Sequence, residues 1–376
     1  MESGIPKIIQ KALDRTAHPY HMWDGIQSIP DYLNSLLDSA YLAQIQQVAE
    51  KISNQKYVDL IGCGTSLFAA MLSSYAFGTY AGKRVDHRNA FESLSYPLPE
   101  LQNSALIGIS HTGGTPVVVQ SVDQVNESGG LTVGLTDVCE SRLAKAAQEL
   151  LCSGFGPEPA LAKTRSFMTT VFALYLLALF TSKNQGAEHL DALKTLKSIP
   201  EKIRKSLDAL DQSVRAIVSQ LPSLRRVIYI GAGPQLPIAM EGSLKLTECA
   251  LMDSTAWELE EAAHGTWAGT KEGDLIVILG MQGPSLPKSV KLAQALRKIK
   301  AKVWILTDVK DAYTDYDYMT SMQTYDLPEL YIPFLSVLPL YQFAYRYAIS
   351  QGINPDSMNM SDPDYLQART QIRESF

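Results

Sequence analysis

The sequence predicts an α/β chain of two tandem doubly wound parallel-sheet modules, nucleotide-binding-like in outline. Three observations carry that reading. First, the chain repeats itself. With Gly62 set on Gly231, an offset of 169 residues, "KYVDLIGCGTSLFAAMLSSY" (56–75) lies over "RVIYIGAGPQLPIAMEGSLK" (226–245). At the same offset "ALIGIS" (105–110) falls on "DLIVIL" (274–279), and "TVGLTDV" (132–138) matches "VWILTDV" (303–309) at 171. Three apolar segments in one order at nearly one offset mark two copies of one unit. Second, short β-branched runs alternate with helical stretches, read in the first copy at Leu67–Tyr80, Pro116–Asn126 and Phe167–Ser182. Such alternation builds a parallel sheet with helices on both faces. Third, 376 residues at 46% hydrophobic and 19% charged can bury two cores, and nothing in the composition suggests disorder.

In chain order this gives a helical arm over 1–44, a first module over 45–200, a second over 201–350 and a polar tail over 351–376. The net charge of -6 and the lack of a basic cluster argue against a nucleic-acid partner. The N-terminus "MESGIPKIIQ" has no apolar run of the signal-peptide kind. Phe167–Phe180 is the strongest membrane candidate, but it is too short to span and is flanked by Arg165 and Lys183, so it reads as a buried helix. Cys63, Cys139, Cys152 and Cys249 show no CxxC or Cys/His spacing. They read as reduced core thiols of a cytoplasmic protein, with no metal site and no cofactor.

Two turns stand where ligands of an open parallel sheet sit, beyond the carboxyl ends of the strands. They are "GCGTS" (62–66) and "SHTGGT" (110–115). Thr115 suits a helix N-cap and Pro116 the first helical position. That leaves Ser110, His111 and Thr112 beside glycines that let a ligand approach the backbone. Free amides at a helix start with neutral hydroxyls make an oxyanion site, to which Cys63, Gly64, Thr65 and Ser66 would add a second wall. Each turn alone reads equally well as a tight βα connection. Neither is a Walker loop, and "GCGTSL" lacks the third glycine of a dinucleotide fingerprint. The second copy has "LGMQGPS" in the corresponding place, so only one copy is hydroxyl-rich.

In "EGSLKLTE" (241–248), Glu241, Lys245 and Glu248 share one helix face. Taken alone they read as a solvated salt-bridge ladder. His264, in "ELEEAAHGTW" (258–267), falls on a loop before "DLIVIL". A carboxylate and a histidine near one sugar suit acid–base chemistry at neutral pH.

"GCGTS", "SHTGGT", "AKTRSF" and "EGSLKLTE…HG", in that order, resemble the sugar isomerase (SIS) family from about residue 40 to about 350. The likeness is to the isomerase half of glucosamine-6-phosphate synthase and its stand-alone relatives. It implies that Thr65, Ser66, Ser110, Thr112 and Thr115 hold a sugar 6-phosphate and that Glu248 moves a proton between C1 and C2. It also implies that His264, sixteen residues on, assists ring opening in the neighbouring subunit's site. The expected assembly is a homodimer with shared active sites, and Lys245 joins the substrate contacts.

The departures narrow the activity. The chain begins Met1-Glu2 without the synthase's glutaminase domain, so glutamine is not the expected ammonia source. Arg369, in "YLQARTQI", stands where the synthase has an imine-forming lysine, and no lysine follows Lys310. An arginine cannot form that imine near neutral pH. His111 replaces the family's usual glutamine, and Lys163 replaces a small hydroxyl residue. Both add positive charge, which suits a second acidic group, a carboxylated amine adduct or a 6-sulfonate. Lys163 suits pairing with a surface carboxylate equally well. Three functions remain open at this point. One is an aldose–ketose isomerase for a sugar with a terminal anion; another is an amino-sugar or ketosamine 6-phosphate deaminase or deglycase. The third is a non-catalytic sugar-phosphate sensor, disfavoured by Glu248 and His264 together and by the lack of a DNA-binding helix-turn-helix. Small-molecule sugar, no nucleic acid and no membrane complete the expectation.

Overall fold

A computed structural model describes residues 6–97, 99–183 and 186–374. The outermost residues of the predicted arm (1–5) and tail (375–376) lie outside the described residues. Among the described residues, ten strands form two five-stranded sheets. The first contains β1 (Tyr57–Gly62), β2 (Arg84–Asn89), β3 (Ser104–Ile109), β4 (Leu131–Thr136) and β5 (Glu149–Cys152). The second contains β6 (Arg226–Gly231), β7 (Ser254–Glu258), β8 (Asp274–Leu279), β9 (Lys302–Thr307) and β10 (Tyr318–Ser321). The orders are β2-β1-β3-β4-β5 and β10-β9-β8-β6-β7. Every pairing is parallel. Read from its β7 edge, the second order is the first one again. The predicted tandem doubly wound fold is therefore present, and its repeat extends to strand order.

Register refines one detail. Ser104 lies beside Tyr57 as Asp274 lies beside Arg226, so it is Ser104 that takes the place of Asp274. The sequence match had set Ala105 there, one residue away, because it followed the apolar run without the sheet's register.

Two compact units emerge. One holds the first sheet, with the described residues of 28–158, 165–200 and 367–376; the other holds the second sheet, with those of 1–27, 159–164 and 201–366. The predicted arm is thus shared, its helix His21–Ser35 running past Gln27. Helix Ala187–Gln220 contains the division at Pro200. The tail is structured. Buried Asp356 accepts from the amides of His21 and Met22 (2.7 and 2.8 Å), and a helix spans Pro363–Glu374.

In the first unit, Val118, Val122 and Val125 of helix Pro116–Glu127 close over Ile61 and Leu106. Arg165–Thr181 is a helix with every residue but Phe180 buried, packed on Ser39–Ser53 and Thr65–Ala76. The apolar stretch is core, as its flanking charges indicate. Among the described residues no helix is long and apolar enough to cross a membrane. The predicted helix Leu67–Tyr80 forms as an α-helix, Thr65–Ala76, continued by a π-helical turn, Phe77–Ala81.

The reading of four reduced core thiols is corrected. Cys139 and Cys152 form a disulfide with Cα atoms 5.5 Å apart, and Cys139 is exposed. The turn after β4 folds Cys139 back towards the end of β5, a closure that a 13-residue separation without a motif does not announce. Cys63 and Cys249 are free, and Cys249 is buried.

Candidate active site

In the first sheet the winding reverses between β1 and β3, and the turns after these strands flank that switch point. After β1, a Cβ on Gly62 would lie 2.7 Å from the Ser66 backbone, so only glycine lets the helix start this close. Gly64 takes φ +54°, ψ -128° and brings no capping side chain to helix Thr65–Ala76. Thr65 and Ser66 are buried at this start, and Cys63 is half-buried. Burial pushes the Cys63 thiol up, against hydrogen bonding from the Ala90 and Phe91 amides.

The turn after β3 is held from one side. The His111 carbonyl accepts from the Asp137 amide (3.0 Å) and from Thr136 Oγ1 (3.2 Å). The Gly113 carbonyl accepts from the Leu143 amide (2.9 Å), and the Gly114 carbonyl from Arg142 Nη2 (2.8 Å). A trans peptide points its N–H opposite its C=O. Anchoring these three carbonyls on segment 136–143 therefore turns the amides of Thr112, Gly114 and Thr115 to the other side. That row of outward N–H groups is an anion-binding arrangement. Gly113 has φ +60° and packs where any Cβ would collide with Ser141. Thr115 is the N-cap by position, but its hydroxyl makes no cap bond; it pairs with Ser110 Oγ at 2.8 Å. Ser110 is buried, His111 half-buried and Thr112 exposed.

The second sheet's counterpart is closed. At the start of that turn Gly280 replaces Ser110, and a Cβ there would run into Tyr313, whose hydroxyl donates to the Gly280 carbonyl (3.3 Å). Burial pushes the Tyr313 phenol up to about 12, although Ser289 hydrogen-bonds to it at 2.6 Å. The Gln282 amide, in the place of Thr112's, donates to Asp308 Oδ1 at 2.8 Å. A protein carboxylate thus already occupies the position of an anion. In the first sheet the matching Asp137 instead accepts from Ser153 Oγ at 2.6 Å.

The ionic row of the second module lies on helix Gln235–Ala250, and it is not a solvated ladder. Glu241 and Lys245 are fully buried because helix Pro333–Ser350 covers them; Gly242 permits the approach, since a Cβ there would meet Leu340 at 2.7 Å. Lys245 donates to Glu248 and lies 3.7 Å from Glu241, which accepts from Tyr341 at 3.1 Å. Burial alone would lower the Lys245 ammonium's pKa, but the carboxylates of Glu241 and Glu248 outweigh it and hold it above its ordinary value. The Glu248 side chain keeps 17% exposure, the only opening in this triad. Lys245, expected to touch substrate, is instead enclosed against Glu248.

The remaining candidates are spread out. His264 ends helix Leu259–Ala263 with its side chain 66% exposed and Nδ1 2.9 Å from the Glu260 carbonyl, while Glu260 also pairs with Lys288. Lys163 donates to the Ala160 carbonyl at 2.8 Å, in the 159–164 segment that belongs to the second sheet's unit. Arg369 is half-buried on the closing helix, within the first sheet's unit. The turn after β1 and the turn after β3 thus lie in one unit, and Glu248 and His264 in the other. Sequence reasoning missed the supports: Thr136, Asp137, Ser141, Arg142 and Leu143. Their one signal was "TDV", repeated in both modules at 136–138 and 307–309.

Known proteins bear on this geometry. A model of the SIS domain matches residues 51–180 and 220–344. An isomerizing glutamine–fructose-6-phosphate aminotransferase of Pyrobaculum aerophilum is 28% identical over 344 residues, covering 90% of this chain and 56% of that protein. The chain therefore spans little more than half the length of that relative. Among solved structures, the C-terminal domain of glucosamine-fructose-6-phosphate aminotransferase from Francisella tularensis superposes with a TM-score of 0.82 at 21% identity, over 90% of this chain and 98% of that one. Tagatose-6-phosphate ketose/aldose isomerase from Escherichia coli gives 0.76 at 17% identity, over 92% and 96%. At these identities the superpositions establish the fold.

Proposed function

Because the chain belongs to the SIS-domain family, we propose that it is an aldose–ketose isomerase for a sugar carrying a terminal anion, a 6-phosphate or a 6-sulfonate. The turns of the first sheet bind the anion through the amides of Thr112, Gly114 and Thr115 and the hydroxyls of Thr65, Ser66, Ser110 and Thr115. Binding at that remote group positions C1 and C2 and so lowers the barrier at the reacting carbons. Glu248 takes the proton from one carbon and returns it to the other, the second needed part of the interconversion. Lys245 fixes the carboxylate from behind. His264 assists ring opening, and its exposure suits service to a partner's site in a cytoplasmic homodimer. His111, Lys163 and Arg369 add substrate contacts.

The observation that carries the reading is the contrast between the two turns. The first leaves its amides outward and hydroxyl-lined, whereas the second fills the same place with Tyr313 and Asp308. The deaminase or deglycase reading shares the proton shuttle and differs in losing an amine. Incubation with 6-phospho- and 6-sulfo-sugars in heavy water tests both. Deuterium at C1 or C2 without amine release is the expected result; stoichiometric amine release points to the deaminase. Turnover that survives Glu248→Gln overturns the assignment of the base.

A further inference from the structure

The segment that braces the anion turn carries a cross-link of its own. Thr136, Asp137, Arg142 and Leu143 supply the four hydrogen bonds to the turn's carbonyls, and Ser141 packs against Gly113. Cys139 lies in the middle of that segment. Its partner, Cys152, lies beside Thr136 in the sheet register. The next residue, Ser153, donates its amide to the Thr136 carbonyl (3.2 Å) and its hydroxyl to Asp137 (2.6 Å). The disulfide therefore ties the middle of the bracing loop to the strand at the edge of the sheet, beside the point where Thr136 is already paired. Without it, the loop is retained by hydrogen bonds and by the helix Arg142–Ala146, which is five residues long.

The cross-link is also accessible. Cys139 is exposed, and Cys152 lines a cavity of 360 Å³ with Asp38, Tyr41 and Phe155. Accessible disulfides are those open to thiol attack, whereas structural ones resist it. By register the second module has Ser321 where the first has Cys152, and no cysteine follows Cys249. One chain thus contains a cross-linked turn and a turn without one.

We propose that Cys139–Cys152 is a reversible thiol–disulfide exchange site that tightens the first module's anion turn when oxidised and loosens it when reduced. The co-reactant is a dithiol. Its thiolate attacks Cys139 Sγ, the S–S bond breaks, and the Cys152 thiolate leaves and takes up a proton. The reagent's second thiol then displaces Cys139 as a thiol and closes the reagent's own disulfide. Two electrons and two protons pass from reagent to protein. The effect on ligand rests on the reading of this turn as the anion site; the effect on the turn itself does not.

The test uses the full chain, air-oxidised or treated with dithiothreitol. Alkylation after denaturation should label Cys63 and Cys249 before reduction, and all four cysteines after it. Hydrogen exchange of the Asp137 and Leu143 amides, which anchor the turn, should accelerate several-fold on reduction, while that of the Gln282 amide stays constant. Affinity for inorganic phosphate should fall several-fold. The double variant Cys139→Ser/Cys152→Ser should behave as the reduced protein and ignore dithiothreitol. Four labelled thiols without reductant, unchanged exchange at Asp137 and Leu143, or equal phosphate affinity in both states overturns the proposal. If exchange responds but phosphate binds in neither state, the exchange site stands and the anion reading of the turn fails.

Discussion

The two modules share a strand order, a glycine-tight first turn and a threonine at the end of the fourth strand that donates to the switch-point turn. They differ in what faces outward from that frame. The first keeps Ser110, Thr112 and Thr115 around an open turn; the second seals its turn with Tyr313 and Asp308. On the helix after the first strand the contrast reverses. At the offset that sets Gly62 on Gly231, buried Leu72 and Ala76 of the first module correspond to Glu241 and Lys245 of the second. Duplication supplied one scaffold twice, and each copy placed polar chemistry where the other has packing. A fold of this kind therefore states where a ligand can bind, and only the side chains state which copy does so.

The contrast can be broken by changing one module and leaving its twin as the control. The largest effect is expected at Glu248, since a positioned general base contributes about 10²–10⁴-fold. Glu248→Gln should lower isotope exchange at C1 and C2 by that order, and it should also lower the thermal transition, because buried Lys245 loses one of its two carboxylates. Next is Gly113→Ala, which adds a Cβ collision with Ser141 to the cost of a left-handed backbone. It should lose about 2–3 kcal/mol in denaturant titration, against about 1 kcal/mol for Gly233→Ala, where φ is +54° and no atom lies within 4 Å. A smaller effect follows at the hydroxyls. Ser110→Ala should raise KM for the anionic sugar about tenfold, as loss of one charge-assisted hydrogen bond does, with kcat little changed. Tyr313→Phe, at the sealed turn, should cost about 1 kcal/mol of stability and leave KM alone.

The smallest expected effect compares the first strands. Asp59 of β1 corresponds to Ile228 of β6, and both are buried. Burial raises the Asp59 carboxyl above its ordinary 3.8, with the Ser104 hydrogen bond pulling the other way and Asp86 adding to the rise. A carboxyl raised on folding binds its proton more tightly in the native state. Its contribution is thus favourable below pH 3.8 and is lost as pH rises through the folded value. Asp59→Asn should gain a few degrees in Tm at neutral pH and flatten the decline above pH 4, whereas Ile228→Val should shift Tm without changing its pH slope.

Much was readable from the residue string. Apolar periodicity located the strands and the buried helix Arg165–Thr181, and glycine spacing marked both tight turns, because these signals act over a few neighbouring residues. The GxG pairs proved to be steric requirements common to both copies, so they say less about ligand than the hydroxyls do. The row of charges from Glu241 to Glu248 misled when taken alone. Local spacing gives a shared helix face but cannot tell whether another helix covers it, and Pro333–Ser350 does.

What the sequence determined by itself is the repeat, the parallel α/β class and the placing of unusual side chains at loop-to-helix turns. All of these follow from patterns within one element or between two aligned copies. Tertiary structure alone decided that three carbonyls of the 110–115 turn are tied to 136–143 and that Tyr313 seals the twin turn. It also enclosed Lys245 and joined Cys139 to Cys152. The physical reason is common to all four. Each depends on atoms from segments brought together only by chain closure across a sheet or between packed helices, and burial and hydrogen-bond direction exist only once that closure is made.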